Sequence, residues 1–164
     1  RILKEKRNIV LCGMPSSGKT TVGKEIAKVF GKKFIDTDDV VVEKRKESIS
    51  DIFEKYGEGE FRKEERFAIE ELSKENGLVI ATGGGAVLDE NNVRALRRNG
   101  VILFLDRSLE NLVATADRPL SSDTEKLKNL FEKRYDVYKS CADAVIPADG
   151  EIADVVEKIK GVLL

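Results

Sequence analysis

The chain has 164 residues, of which 41% are hydrophobic and 36% charged, and its formal net charge is −1. This balance is typical of one soluble folded domain, and the near-neutral charge offers no general attraction for nucleic acid or anionic membranes. No apolar run approaches the ~20 residues needed to cross a bilayer. The sequence contains no histidine, which excludes a His-based nucleophile triad and His metal ligands and leaves carboxylates, Lys, Arg and backbone groups for chemistry.

The N-terminal residues carry no apolar segment of the kind found in a secretory signal. The sequence opens on Arg1 rather than on a methionine, so we expect a trimmed or partial chain. Cys12 and Cys141 show no metal-site or disulfide spacing, and Cys12 ends a predicted buried strand. We therefore expect a reducing compartment, the cytoplasm.

Residues 8–12 form a short apolar run that predicts a strand, and residues 13–20 follow it with the pattern G-x-x-x-x-G-K-T. Val22, Ile26 and Phe30 then recur at helical spacing. A strand, a glycine loop and a helix in this order direct backbone N–H groups and the positive helix end at phosphates. A chance match in an ordinary strand–turn–helix is the alternative, which the specific pattern and its context disfavour.

Each residue type in this loop suits a bound nucleotide. Gly13 and Gly18 let the backbone turn tightly and approach an anion. Lys19 would reach the β- and γ-phosphates, and the Thr20 hydroxyl would bind a Mg²⁺ ion that bridges them.

A second strand at residues 33–35 ends at Asp36-Thr37-Asp38. Because ligands gather at the carboxyl ends of parallel strands, we expect both carboxylates to lie near the phosphates. Asp38 has an alternative role as the N-cap of a helix over residues 40–46. The two roles are compatible, because a side chain at a helix start can also face a cleft.

Residues 40–75 predict a helical insertion without a strand. Ser50 is placed to cap a helix over residues 51–56, and a longer helix follows over residues 60–75. Arg62 lies near the start of that helix, and Glu65 stands at i+3. From spacing alone, solvation of Arg62 or its pairing with Glu65 is the favoured interpretation.

The third strand, residues 78–81, leads directly into Gly83-Gly84-Gly85. Three glycines cost conformational entropy and supply no packing, so this run is either a flexible turn or a place where a ligand contacts backbone; we favour the second. A helix over residues 89–99 follows. Residues 101–105 are apolar throughout, as in a strand buried on both faces.

Ser108 is predicted to cap a short helix, and a polar loop containing Arg118 follows it. Pro119 favours an extended backbone at Arg118, which suits a mobile lid for phosphoryl transfer, although a surface loop with one charge is the plainer alternative. Ser122 and Glu125 resemble a capping box that opens a long helix. Arg134 lies on the apolar side of that helix. A fifth strand over residues 144–146 and an amphipathic helix complete the chain.

Taken together, the pattern resembles the shikimate kinase family over essentially the whole chain. The residues that carry the resemblance are Gly13–Thr20, Asp36-Thr37-Asp38, Phe61-Arg62 with Glu64 and Glu65, Gly83-Gly84-Gly85, Arg118-Pro119-Leu120, and Arg134 with Tyr138. The resemblance implies a single α/β kinase domain over residues 1–164, with the three-layer P-loop kinase fold. Five parallel strands in order 2-3-1-4-5 would be flanked by helices, with a substrate-binding segment at about 38–75 and a lid at about 114–124.

The resemblance also implies ATP and shikimate as substrates and Mg²⁺ as cofactor. Asp38 would bind the shikimate hydroxyls and accept a proton from the attacking 3-hydroxyl, while Asp36 would hold Mg²⁺ through water. Arg62 and Arg134 would bind the shikimate carboxylate. Arg118 would close over the transferring phosphate and act in catalysis with Asp38 and Lys19. The implied ATP-binding residues are Gly13, Ser16, Ser17, Gly18, Lys19, Thr20, Thr21 and Arg118, and the implied substrate-binding residues also include Gly83, Gly84 and Gly85.

The sequence departs from the family pattern at several positions. Ser16 occupies a loop position where a third glycine is common, and we expect nucleotide binding to survive. Residues 112–115 and 148–150 lack the Arg that contacts adenine in some relatives. Ser121 replaces the usual Leu after Leu120.

Two rival functions remain open. One is another small-molecule kinase of the same fold, such as a gluconate or nucleotide kinase, although Asp38 with the two arginines favours an acidic polyol. The other is a non-catalytic nucleotide-binding module. The chain lacks the N-K-x-D pattern of GTPase base recognition. We expect a monomer without nucleic-acid or membrane partners.

Overall fold

The computed structural model describes residues 8–114 and 121–164, with the side chains of 121–123 excepted. The strands are β1 (Asn8–Cys12), β2 (Lys33–Asp36), β3 (Leu78–Ala81), β4 (Gly100–Asp106) and β5 (Ala144–Pro147). The α-helices are α1 (Lys19–Phe30), α2 (Thr37–Arg45), α3 (Ile49–Tyr56), α4 (Glu58–Leu72), α5 (Glu90–Arg98), α6 (Leu109–Ala114), α7 (Ser121–Cys141) and α8 (Ile152–Leu163). One 3₁₀ turn spans Ala86–Leu88.

The five strands form one parallel sheet in the order β2-β3-β1-β4-β5, as predicted. Ile9 of β1 pairs with Val79 on one side and with Val101 on the other. Every residue of β1 is buried, and so are all residues of β4 except its last. The apolar runs in the sequence therefore correspond to strands covered on both faces.

Alternate residues of β1 divide between two cores, one on each face of the sheet. Val10 and Cys12 pack with α4, α5, α6 and α7, whereas Ile9 and Leu11 pack with α1 and α8. Successive side chains of a strand point to opposite faces of the sheet, so each face carries its own core and its own layer of helices. Helices, sheet and helices form the three layers.

A third, smaller cluster lies under the helical insertion. Val41 of α2, Ile52 of α3, and Phe61 and Ala68 of α4 form it. The later turns of α4, represented by Ile69, instead join the main core. The helix α4 therefore connects the insertion to the body of the protein.

Several predicted boundaries were wrong by a few residues. Ser48, not Ser50, caps α3, because its side chain accepts a hydrogen bond from the Asp51 backbone N–H. The helix α4 begins at Glu58 directly after Gly57 and ends at Leu72 instead of Glu75. The predicted cap of α6 is confirmed, since Ser108 Oγ accepts from Asn111 N at 3.4 Å.

None of the helices within the two described ranges has the length and apolar character required to cross a bilayer.

Candidate active site

The loop between β1 and α1 has the backbone conformation that its glycines predict. Gly13 has a φ of +148° and Gly18 a φ of +96°. A Cβ at Gly13 would lie 2.9 Å from the Leu105 carbonyl oxygen, so a side chain there would collide with β4. The loop thus requires glycine at this position to keep its close approach to the sheet.

Ser16 adopts a left-handed conformation, with a φ of +69°. This is the position where the sequence departs from the common third glycine. Left-handed geometry costs a non-glycine residue about 1–2 kcal/mol. Ser16 is exposed, so its side chain meets no packing obstacle, and the loop keeps its shape despite the substitution.

Lys19 points into the loop and not into solvent. Its Nζ donates to the carbonyl oxygens of Gly13 at 2.7 Å and Met14 at 2.9 Å. Burial lowers the pKa of Lys19 to about 8, and the charges of Asp36 and Asp38 partly oppose this effect. An anion bound in the loop would therefore meet an ammonium group that is already held in place.

Three more of the predicted nucleotide-binding residues, Ser17, Thr20 and Thr21, lie in the same loop and in the first turn of α1. Ser17 is buried, and its Oγ finds no hydrogen-bond partner within the described part of the chain. Thr20 and Thr21 lie in the first turn of α1 and are exposed. An orphaned buried hydroxyl in a phosphate-binding loop is a donor available to a ligand.

Asp36, the last residue of β2, and Asp38, in the first turn of α2, differ in their contacts, and the capping role suggested for Asp38 was wrong. The cap of α2 is Asp36, whose Oδ1 accepts from Asp38 N at 2.8 Å and Asp39 N at 3.4 Å. The helix begins at Thr37, earlier than predicted, because Asp36 satisfies its first free N–H groups. Asp38 lies inside the first turn, where its side chain is free for another role.

Asp38 Oδ1 is buried and lacks a hydrogen-bond partner among the described residues. Burial raises the pKa of Asp38 and the negative charge of Asp36 adds to the increase, while Lys19 lowers it. Burial also raises the pKa of Asp36. A buried carboxylate without a donor is costly in an empty protein. The site therefore favours a ligand that brings a hydrogen-bond donor to Asp38.

The three glycines after β3 lie against three charged side chains. A Cβ at Gly83 would fall 2.6 Å from Asp38 Oδ1, and one at Gly85 would fall 2.5 Å from Arg62 Nη2. A Cβ at Gly84 would fall 2.8 Å from Arg134 Nη1. The absent Cβ atoms thus leave room for charged groups from α2, α4 and α7.

This glycine run is not a loose turn. Gly83 N donates to Thr37 Oγ1 at 3.0 Å, and the chain continues into the 3₁₀ turn. Pro15 of the phosphate loop lies 3.5 Å from the Cβ position of Gly84. The phosphate loop, the carboxylate and the two guanidinium groups therefore border a single region.

Arg62 pairs with two acidic side chains and also lies against Gly85 of the glycine run. The pairing expected from its spacing is therefore present together with a position beside the predicted substrate site. Arg62 Nη1 donates to Glu65 Oε1 at 2.9 Å and its Nε to Glu58 Oε2 at 3.2 Å. The Glu65 side chain is 1% exposed, and burial raises the pKa of its carboxyl. Glu65 fixes the orientation of Arg62, and the i+3 spacing was the signal for this contact.

Tyr138 is a further residue to which the sequence analysis assigned no role. Its hydroxyl donates to the Gly84 carbonyl oxygen at 2.6 Å, and burial raises the Tyr138 pKa to about 12. Tyr138 follows Arg134 by one helical turn on α7, and this spacing was the available signal. The sequence analysis also assigned no role to Thr37, which stands between the two aspartates and accepts the hydrogen bond from Gly83 N.

Arg118, most of the predicted lid and the Ser122 side chain lie outside the described residues. On the adenine side, Asp149 Oδ1 accepts hydrogen bonds from Ser108 N at 2.9 Å and Asn111 Nδ2 at 2.7 Å. This pairing holds the loop after β5 against the start of α6.

The donor set near the loop suits Mg²⁺. The Thr20 hydroxyl and the Asp36 carboxylate offer hard oxygen ligands, which Mg²⁺ prefers, usually with several waters and substrate phosphates. Within residues 8–114 and 121–164, no group of three or more Cys, Asp or Glu side chains could hold a metal ion. Such an ion would thus depend on the nucleotide for much of its coordination.

A five-stranded parallel sheet with a phosphate loop after β1, and with a carboxylate and two arginines across from that loop, defines a P-loop kinase that acts on a small molecule. The family model described as shikimate kinase matches residues 15–163. The chain belongs to the shikimate kinase family.

The similarity extends over nearly all of the chain. A shikimate kinase from Clostridium botulinum (strain Alaska E43 / Type E3) is 39% identical over 163 residues, which cover 97% of this chain and 98% of the relative. The structure of a shikimate kinase from Acinetobacter baumannii, in complex with shikimate, matches with a TM-score of 0.91 and 31% identity. That match covers 99% of this chain and 95% of the other.

A gluconokinase from Sinorhizobium meliloti matches with a TM-score of 0.61 and 16% identity, covering 97% of this chain and 92% of the other. At this identity the likeness shows the fold alone.

Proposed function

We propose that this chain transfers the γ-phosphoryl group of ATP to the 3-hydroxyl of shikimate, giving shikimate 3-phosphate and ADP. The observation that carries the proposal is the meeting of Asp38, Arg62 and Arg134 over Gly83–Gly85, beside the phosphate loop. A small acid with hydroxyl groups matches this set of one carboxylate and two guanidinium groups.

On the nucleotide side, the protein supplies position and charge. Backbone N–H groups of the loop, the N-terminus of α1 and Lys19 bind the phosphates, with Ser17 Oγ as a further donor. Thr20 and Asp36, the latter through water, are the residues that would hold Mg²⁺. When bound, the ion neutralises charge on the phosphate oxygens.

On the acceptor side, Asp38 accepts the hydrogen bond of the attacking hydroxyl and takes its proton as the new O–P bond forms. Arg62 and Arg134 bind the carboxylate of the substrate and set its distance from the phosphate loop. Arg118 is proposed to close over the transferring phosphoryl group. Its replacement by Ala would then lower kcat more than it raises KM for either substrate.

The test is ATP consumption measured with shikimate, gluconate and CMP as separate acceptors, with and without Mg²⁺. We expect turnover with shikimate and Mg²⁺ only. Turnover with gluconate or CMP would identify another small-molecule kinase, and ATP binding without turnover would identify a nucleotide-binding module.

We also propose that the enzyme is a cytoplasmic monomer without nucleic-acid or membrane partners. The near-neutral net charge of −1 supports the absence of nucleic-acid and membrane partners, and the two free, buried cysteines support a reducing compartment. Light scattering coupled to gel filtration measures the mass, and a dimer mass would contradict the monomer.

A further inference from the structure

A basic groove lies between α2, α4 and α5, apart from the phosphate loop. Its volume is about 860 Å³, which falls within the roughly 300–1,000 Å³ typical of small-molecule sites. Within the described part of the chain, no residue that lines it belongs to the proposed active site. Five cationic side chains define this basic groove: Lys44, Lys63, Arg66, Arg94 and Arg98. The function proposed above leaves them without a role.

The positive charge of the basic groove is concentrated, because the formal net charge of the whole chain is only −1. Two acidic side chains, Glu64 and Glu70, also line the groove, so its five cations leave an excess of three positive charges. Asp89 pairs with Arg66 from outside the lining residues and reduces this excess to two. A cleft lined mainly by one sign of charge concentrates counter-ions. The basic groove therefore attracts small anions.

The protein does not neutralise all of these cations. Three of them have a carboxylate oxygen within 2.8–3.3 Å, in the pairs Lys44–Glu64, Arg66–Asp89 and Arg98–Glu70. Lys63 and Arg94 are exposed, and neither makes an ion pair with a residue that the structure describes. Arg94 Nη2 donates to the neutral amide oxygen of Asn91 at 3.0 Å, which restrains the guanidinium without cancelling its charge. Lys63 and Arg94 are therefore available to an anion.

Helical spacing brings the two cations to the same groove. Positions 63, 67 and 70 of α4 recur at i, i+4 and i+7, and positions 91, 94 and 98 of α5 recur at i, i+3 and i+7. Side chains at these spacings share one face of a helix. Arg66 and Glu70 of α4 form ion pairs with the N-cap and the last residue of α5. Lys63 and Arg94 are thus presented from two helices that are held together.

Phe67 supplies an aromatic surface in the same groove. It is 53% exposed, although the next two residues of α4 are buried. Lys44 Nζ lies 4.0 Å from the centroid of the Phe67 ring, and this cation–π contact restrains the ring. The exposed part of the ring can pack against a flat aromatic group, by offset stacking or edge to face. The basic groove therefore combines an aromatic surface with two available cations.

We propose that the basic groove binds an aryl phosphate, a small molecule that carries a phosphate group on a flat ring. The ring packs against Phe67, and Lys63 and Arg94 bind the phosphate oxygens. A phosphate monoester carries about −1.5 to −2 charges at pH 7, so it matches two cations better than a carboxylate with its single charge. The planar guanidinium of Arg94 suits bidentate contact with two phosphate oxygens.

The experiment titrates phenyl phosphate into the isotope-labelled full chain and follows the backbone amide shifts by NMR. ADP, Mg²⁺ and shikimate are present at saturation, so that the proposed nucleotide and acceptor sites are filled. We expect saturable shifts in α4 and α5. Inorganic phosphate lacks the ring and benzoate lacks the second charge, so each should bind several-fold more weakly than phenyl phosphate.

The double variant Lys63→Gln with Arg94→Gln should weaken phenyl phosphate binding about tenfold or more, because both charged donors to the phosphate are removed. Phe67→Leu should weaken it several-fold through loss of the aromatic ring. The matched control, Lys74→Gln with Lys158→Gln, removes two charges outside the groove and should leave the affinity unchanged. All five positions are exposed, so these variants should keep the fold.

Equal affinity of the groove double variant and the control double variant would overturn the inference. So would equal binding of phenyl phosphate and inorganic phosphate, because the ring would then contribute nothing. The proposed function is tested separately, since the amide shifts do not depend on phosphoryl transfer. Should the chain fail to phosphorylate shikimate, loss of binding in the groove double variant would still locate this site.

Discussion

Asp38 is the residue on which the proposed chemistry depends most. Its Oδ1 is buried and finds no partner in the described part of the chain, although it lies against Gly83. Elsewhere in a fold, a buried carboxylate without a hydrogen-bond partner would lower the stability of the protein. Beside a phosphate loop, the free Oδ1 supports the proposed role of Asp38 as acceptor for a substrate hydroxyl group.

We expect Asp38→Asn to lower kcat about 10²-fold or more, since general-base catalysis contributes about 10²–10⁴ and an amide cannot take the proton. ATP affinity should change little. Steady-state kinetics and nucleotide titration measure the two quantities. Asp39→Asn is the matched control, because Asp39 is adjacent but exposed. Normal turnover by Asp38→Asn would remove this residue from the mechanism.

We expect Lys19 to make ATP binding sensitive to pH. Its pKa is lowered to about 8 by burial. The charged form that binds phosphate is present below this pKa and is lost above it, so the ATP affinity of the free enzyme should fall as pH rises through about 8. Calorimetric titration between pH 7 and 10 measures this change.

Lys19→Arg is the control, because a guanidinium stays charged over that range. The variant should bind ATP more weakly, but with an affinity independent of pH. A pH-dependent loss of equal size in the variant would assign the effect to another group.

At the residue scale, the sequence predicted which side chains lie near the phosphate loop better than it predicted their hydrogen-bond partners. It placed both aspartates at the site, but it could not tell which one caps α2, because Asp is a good cap at either position. The left-handed conformation of Ser16 could not be predicted from its residue type, because the closure of the loop imposes it.

At the scale of secondary-structure elements, α4 presents Arg62 to the glycine run and holds it with two acids of different burial. The Glu65 side chain is 1% exposed, whereas that of Glu58 is 63% exposed. The buried pair is the one that fixes the guanidinium, because solvent weakens the other.

Glu65→Gln should therefore raise the KM for shikimate about tenfold, equivalent to about 1.4 kcal/mol, with a smaller change in kcat. Glu58→Gln, the control, should stay within about twofold of the parent. Steady-state kinetics with shikimate varied at saturating ATP gives both values. Equal effects of the two variants would mean that Glu65 does not orient Arg62.

The helix α7 supports the glycine run through Tyr138. Tyr138→Phe leaves the Gly84 carbonyl oxygen without its donor, so the free energy of unfolding should fall by about 1–3 kcal/mol. Tyr135→Phe is the control, because Tyr135 donates to Asp106 Oδ2 at 2.8 Å in a less buried position. Urea denaturation measures both variants, and an equal loss in the two would argue against a special role for Gly84.

The elements themselves were largely predictable, because apolar runs mark the strands and periodic spacing marks the helices. Errors concentrate at helix ends in residues 45–75. There, Ser48 and Ser50 are equally suitable caps, and only the packing of Ile52 into the small cluster selects between them.

At the scale of the whole molecule, the insertion is held by a small core of its own. Val41 and Ile52 contribute to that cluster, while the strands are buried in the two large ones. Segments with little buried apolar area open most easily.

We expect amides of α2 and α3 to exchange hydrogen faster than those of β1, β3 and β4, and shikimate to slow the exchange in α2 and α3. Hydrogen exchange followed by mass spectrometry measures both effects, and ATP alone serves as the control. Uniform exchange across the chain would contradict an independently opening insertion.

The α/β class and the phosphate loop followed from the sequence because each depends on local pattern, whereas the strand order was supplied by the resemblance to a known family. The convergence of residues 38, 62 and 134 did not follow from local pattern, because three elements separated in the chain must pack before these groups meet. The resemblance to a known family, and not spacing, supplied that expectation.

The glycine run after β3 has a practical consequence for inhibition. Each of its three positions lacks room for a Cβ, so a substitution would displace Asp38, Arg134 or Arg62. An inhibitor that hydrogen-bonds to this main chain would contact backbone atoms that every exchange other than one to proline retains. A resistance substitution at these positions would then also disturb the proposed substrate contacts of the enzyme.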